Sequence, residues 1–251
     1  MWSSTLQRID FNADLGEGAP FDRELMALVS SANISCGFHA GDVTLSARTI
    51  DLALEHNVAI GAHPSFDDKA NFGRTPMALS PNAVFDLVLY QCGAIKALVE
   101  ARGGVLHHVK PHGALYNQAA QDADLAGAIA KAVKALDPKL KLYGLAGSLS
   151  LQAAQNIGLE SVSEVFADRR YLSDGSLMPR SQPGAVLSDD DEVQAQVLAM
   201  VQRGGVIAAN GQPVALAAQT LCLHGDNAHA LSLAKRLHQR LGALGIHIEA
   251  P

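Results

Sequence analysis

Residues 9–18 read IDFNADLGEG, and counting by twos splits them cleanly. Asp10, Asn12 and Asp14 fall on one face of an extended strand, with Ile9, Phe11 and Ala13 on the other, because side chains of a strand alternate faces. A core strand packed between two helix layers is apolar on both sides. This one is not, so one of its faces is reserved for polar work.

The same split recurs along the chain. Asn33, Ser35 and His39 oppose Ile34, Cys36 and Phe38, and His108, Lys110 and His112 alternate with His107, Val109 and Pro111. Cys222, His224 and Asp226 oppose Leu221 and Leu223. Several strands aiming polar groups the same way predict a barrel whose inner rim is an active site.

Between these runs the periodicity switches to helical. Strands are expected at 8–13, 32–38, 58–62, 105–109, 140–145, 161–167 and 221–224, with 247–249 as a weak eighth. Helices are expected at 22–30, 42–55, 80–102, 122–135, 148–156, 189–202 and 228–241. Ser80 followed by Pro81 reads as a helix start, and Asn210-Gly211 reads as a hairpin turn within 206–216. Repeated strand–helix alternation without a Gly-x-Gly-x-x-Gly fingerprint favours an α/β fold of the β/α (TIM-like) barrel type, seven-stranded, in one domain over 1–251. Active sites of such barrels lie at the carboxyl ends of the strands.

Composition narrows the partners. The chain has 251 residues, 48% hydrophobic and 18% charged, with a formal net charge of −6. Without a basic run, generic attraction to nucleic-acid phosphates is not expected. The opening residues lack an apolar signal core, no stretch reads as a membrane span, and Cys36, Cys92 and Cys222 have no CxxC spacing. A cytoplasmic protein with reduced thiols is expected. Neither GxxxxGK[ST] nor GxSxG occurs, so a standard P-loop and a nucleophile elbow are both missing.

The candidate site residues sit at strand ends. Asp10, Asn12, Asp14 and Glu17 crowd the first; Glu17 also suits simple solvation. His39, His63, His112 and His224 end four different strands, so a barrel would bring them together. Such a group can hold a divalent metal or handle an organic substrate directly. No HExxH or helical HxxxH element fixes a metal, and no tightly bound one is expected. Lys110 suits an ion pair or an oxyanion. Glu164, Asp168, Arg169 and Arg170 close the sixth strand, and the adjacent arginines suit a carboxylate or phosphate, one of them pointing away. Arg74, in Phe72-Gly73-Arg74, would bring a further cation on a loop at 64–75 that could act as a lid.

Taken in order, DFNADLGEG (10–18), NISCGFHAGD (33–42), GAHPSF (61–66), FGR (72–74), KPHGALYN (110–117), EVFADRRY (164–171) and LCLHGD (221–226) resemble the LamB/YcsF family. Thr75 departs from the pattern, where a second arginine is expected. The resemblance implies a barrel similar to the glycoside hydrolase/deacetylase superfamily. It also implies ATP-dependent opening of 5-oxo-L-proline (pyroglutamate) to L-glutamate, with partner subunits B and C and with ATP, carrying magnesium, as co-substrate. On that reading Asp14 or Glu164 is the general base and His112 or His224 the proton donor. Asn12, His39, His63, Lys110, Arg74, Asp168, Arg169, Arg170 and Asp226 would bind substrate. The alternatives are a metal-dependent deacetylase-like hydrolase on the same barrel and a non-catalytic subunit.

Overall fold

Parallel strands close on themselves in the computed structural model, which describes residues 8–223 and 228–251. In chain order the strands are β1 (Arg8–Leu15), β2 (Ser31–Ser35), β3 (Ala59–His63), β4 (Leu106–Val109), β5 (Lys141–Leu145), β6 (Glu160–Phe166), β7 (Gly205–Ile207), β8 (Pro213–Ala215), β9 (Thr220–Cys222) and β10 (His247–Ile248). Strands β1 to β6 pair in sequence, β6 pairs β9, and β9 returns to β1 with Phe11 opposite Leu221. The result is a seven-stranded parallel barrel, as the alternation predicts. The weak eighth strand exists but stays outside the ring, pairing only Arg8 and Ile9 of β1. The predicted hairpin is present as the antiparallel pair β7–β8.

Helices coat the outside: α1 (Asp22–Met26), α2 (Val43–Glu55), α3 (Pro81–Glu100), α4 (Gly113–Ala119), α5 (Ala123–Leu136), α6 (Leu149–Asn156), α7 (Asp190–Arg203) and α8 (Ala228–Ala243). Their starts follow local chemistry. Asp42, Ser80, Asp122 and Asp189 each accept a backbone N–H of the first turn, which satisfies donors a helix cannot pair internally. Helix α1 stops at Met26, short of the expected residue 30, because Ser30 is pulled to the barrel: its hydroxyl donates to Asp10 Oδ1 at 2.6 Å. Helix α4 is not expected from the sequence, since a glycine opens it and it has only seven residues.

Helix α3 has the length and apolar composition of a membrane-crossing segment, but it belongs to the barrel's coat. Its stripe Val84, Val88, Cys92, Ile95 and Val99 is buried in the barrel's coat, which accounts for that apolar character.

Outward residues such as Phe11, Ile34, Val109, Leu142, Val165 and Leu221 are fully buried under the helices. Inward residues are polar. Asp10, Asn12, Ser31, Asn33, His108, Lys110, Glu164 and Thr220 are all buried within the ring, and they bond to one another. Asn33 donates to Asn12 Oδ1 (2.8 Å), Asn12 to Glu164 Oε1 (3.0 Å), and His108 to Asn33 Oδ1 (2.8 Å). Gly61 makes room for that imidazole: a Cβ there would lie 2.1 Å from His108 Nε2. A fully satisfied buried network fixes one arrangement of the core, and this one supports the floor of the site.

Candidate active site

Lys110 follows β4 and points up the axis. Its Nζ lies 2.8 Å from Glu164 Oε1, 3.0 Å from Asp14 Oδ1, 3.1 Å from Asn12 Oδ1 and 3.2 Å from Cys222 Sγ. Burial works against the charge, but Asp14 and Glu164 outweigh it and hold the ammonium well above the ordinary lysine range. The Cys222 thiol is pushed up by burial and stays protonated. Glu164 is sealed at 0% exposure, accepting from Tyr116 Oη at 2.7 Å as well as from Asn12 and Lys110.

Beside this floor stand three imidazoles and a carboxylate. His63 Nε2 faces His112 Nδ1 at 2.9 Å and Asp14 Oδ2 at 3.3 Å. Glu17 Oε1 lies 2.8 Å from His39 Nε2, 3.6 Å from His112 Nδ1 and 3.8 Å from His63 Nε2. The facing atoms of Glu17, His39, His63 and His112 all lie within 4.8 Å of one another, so these residues could hold a metal ion. Burial drives His39 down to about 3 and His112 to about 2, with the His63 charge adding to both. Burial also works to lower His63, but Asp14 and Glu17 outweigh it and raise it.

A cavity of about 460 Å³ opens above, lined by Asp14, Glu17, His63, Lys110, His112 and Tyr116 below and by Arg74, Arg169 and Arg180 at the rim. Arg169 is buried; its Nη2 donates to Met178 O at 2.6 Å while its Nε has no partner among the described residues. Burial lowers it to about 10, still charged at neutral pH.

The loop at 64–75 is fastened, in contrast to the lid the sequence suggests. His112 Nε2 donates to Phe72 O (2.9 Å), Ala114 N to Gly73 O (2.9 Å), and the Asp68 carboxylate accepts from Asn71 and Thr75. Gly73 has φ +64, and a Cβ there would sit 2.8 Å from His39 Cβ and 2.9 Å from His112 Cδ2. Only glycine lets the loop press this closely onto the imidazoles.

The LamB/YcsF family model matches residues 9–251. The chain belongs to the LamB/YcsF family. A solved structure similar to it is the lactam utilization protein from Thermus thermophilus, 45% identical with a TM-score of 0.91, covering 97% of this chain and 100% of that one. The family 4 carbohydrate esterase from Streptomyces lividans is 11% identical, with a TM-score of 0.50 over 98% of this chain and 93% of that one. That likeness concerns the barrel alone.

In this LamB/YcsF barrel, Asp14, His63, Lys110, His112, Arg74 and Arg169 line the common cavity. Five expected residues are not among those lining it. Glu164 lies under the floor with both oxygens engaged, one by Asn12 and Lys110 and the other by Tyr116. Arg170 turns away to Glu192 at 2.7 Å and Gly184 O at 3.1 Å, while Arg169 lines the cavity. Asp168 is not among the cavity-lining residues. Asn12 is below the floor, and His39 stands behind Glu17. His112 is a poor proton donor: it is neutral and its one N–H is committed to Phe72 O. His224 and Asp226 lie outside the described residues.

Sequence reasoning undervalues Glu17 and misses Tyr116 and Arg180. Glu17 follows the strand on a loop, where counting by twos no longer assigns a face. Tyr116 sits inside the KPHGALYN run and reaches Glu164 only because α4 starts directly at the barrel rim.

Proposed function

We propose that this chain hydrolyses a lactam: the ATP-dependent opening of 5-oxo-L-proline to L-glutamate, in the cytoplasm, together with subunits of types B and C. Family membership and the full-length likeness to a lactam utilization protein support the substrate class. The observation that carries the residue assignment is the cavity itself, where the Asp14 carboxylate and the Lys110 ammonium meet under a buried arginine whose Nε has no partner among the described residues.

A five-membered lactam is a resonance-stabilised amide and resists water. Transfer of the γ-phosphoryl group of ATP to its carbonyl oxygen releases ADP and creates an imidate-like electrophile. Water then adds to that carbon, the C–N bond breaks as the nitrogen takes a proton, and a second water hydrolyses the resulting γ-glutamyl phosphate to glutamate and phosphate. In this chain Arg169 takes the substrate carboxylate, and Lys110 steadies negative charge on the oxygen. Asp14, facing the cavity, is the base that takes the proton of the attacking water. On this proposal the partner subunits contribute to the phosphoryl-transfer site.

A metal-dependent, deacetylase-like hydrolysis is the second reading, favoured by the Glu17–His39–His63–His112 group. The test is to mix the purified chain with its candidate partners and measure glutamate release from 5-oxoproline with and without ATP. ATP-dependent release requiring this chain is expected. Release of acetate from acetylated sugars with none of glutamate would overturn the lactam assignment.

A further inference from the structure

The ring nitrogens of His63 and His112, as neutral imidazoles, carry a conflict that a cation between them removes. His63 Nδ1 lies 2.6 Å from the carbonyl of Lys110, and His112 Nε2 lies 2.9 Å from the carbonyl of Phe72. A carbonyl oxygen only accepts, so both of these nitrogens carry the N–H. While both rings are neutral, the other nitrogens, His63 Nε2 and His112 Nδ1, present lone pairs to each other at 2.9 Å, with Asp14 Oδ2 a further acceptor 3.3 Å from His63 Nε2. Glu17 Oε1, an acceptor as well, completes a triangle at 3.6 and 3.8 Å. Three acceptor atoms converge on one point.

We infer that Glu17, His63 and His112 form a binding site for one zinc-like divalent transition-metal ion. The triangle's edges of 2.9, 3.6 and 3.8 Å bracket the roughly 3.4 Å edge of a tetrahedron whose ligands stand about 2.1 Å from the ion. A proton shared by the two imidazoles would serve only two of the three acceptors, whereas an ion at the centre serves all of them. Outward N–H groups anchored on backbone carbonyls are also how ligating histidines are held.

His39 has a different part. Its ring stacks flat on His112, with centroids 3.8 Å apart and planes 5° from parallel. In-plane lone pairs of two such rings run side by side and cannot meet at one ion. His39 Nε2 instead donates to Glu17 Oε1 at 2.8 Å, fixing the carboxylate as a positioning residue. The three proposed ligands line the cavity and His39 does not, so the ion's open side faces Asp14 and the substrate space. Two imidazoles and a carboxylate with an open position suit zinc, and cobalt can stand in for it.

The site is independent of the lactam assignment, and its test needs no turnover. The full-length chain, stripped with a chelator, is titrated with Zn²⁺ by calorimetry and with Co²⁺ by visible absorption. One ion per chain is expected, with a cobalt ligand-field band. Binding should be lost in His63→Gln/His112→Gln and in Glu17→Gln, and weakened about 10- to 100-fold in His39→Gln. Should a variant fail to fold, ¹⁵N imidazole spectra of the unaltered chain carry the test: Zn²⁺ should move His63 Nε2 and His112 Nδ1. No stoichiometric binding, an unchanged cobalt band in the double variant, or a shared His63–His112 proton untouched by saturating Zn²⁺ would each overturn the site. A chain that binds no ion yet releases glutamate with its partners ends this inference and leaves the functional one standing; binding without such release does the reverse.

Discussion

Lys110 and Glu164 form an ion pair at 2.8 Å inside the barrel, with side-chain exposures of 3% and 0%. Glu164 also accepts from Asn12 and Tyr116, while Lys110 reaches Asp14. The pair thus joins the buried network below to the cavity above, and removing one partner leaves the other charged in a medium that solvates it badly.

Lys110→Met is therefore expected to destabilise the fold by about 3–5 kcal/mol, the range for breaking a buried pair from one side. Adding Glu164→Gln should recover part of that loss. Urea unfolding of the two single variants and the double gives the coupling. Simple additivity would mean that the two residues do not act as a pair.

Asp14→Asn keeps the side chain's size but removes its basicity. Glutamate release by the reconstituted system should fall about 10²- to 10⁴-fold, the usual contribution of a positioned base. Arg170→Ala, altering a residue turned to Glu192, should leave turnover within about twofold. Full activity in Asp14→Asn removes Asp14 as the base.

Arg169→Gln should discriminate between substrates. Losing a charge-assisted contact worth about 1.5–3 kcal/mol raises KM for 5-oxoproline roughly 10- to 150-fold. A lactam without a carboxylate, such as 2-pyrrolidinone, should be processed equally by both forms. An equal loss for both lactams would show that Arg169 does not read the carboxylate.

Gly73→Ala should destabilise more than Gly103→Ala. Both positions have positive φ, +64 and +78, but only Gly73 faces atoms closer than 3.0 Å. Strain in the left-handed region costs each variant about 1 kcal/mol, and the clash with His39 and His112 adds to the first alone. Thermal midpoints of the two variants compare them directly.

Acid should weaken the fold well before its carboxylates titrate. His39 and His112 stay neutral in the folded chain down to about 3 and 2, and His108 is also pushed well below its ordinary value by burial. The unfolded chain protonates these residues near pH 6.5. Between those limits the unfolded state binds more protons, so stability rises with pH. His63, raised in the fold, has the opposite sign: its contribution is complete below pH 6.5 and fades above. Three depressed groups outweigh one raised group, so the urea midpoint should fall from pH 7 to pH 5. A midpoint that rises over that interval contradicts the burial of these imidazoles as neutral rings.

Alternation along single strands already showed the barrel. Phe11 against Asn12, and Leu221 against Cys222, are properties of the extended backbone, and the helix caps at Asp42, Ser80, Asp122 and Asp189 are chemistry of neighbouring residues. The sequence by itself therefore determined which faces are polar and at which ends of the strands the reactive groups stand. Closure of the ring decided the rest. It set Glu17 against His63 and His112, sealed Glu164 beneath Lys110, and turned Arg169 inward and Arg170 outward. Those relations join residues as far apart in sequence as Glu17 and His112, and such distances depend on the registers of every strand between them, which no local pattern encodes.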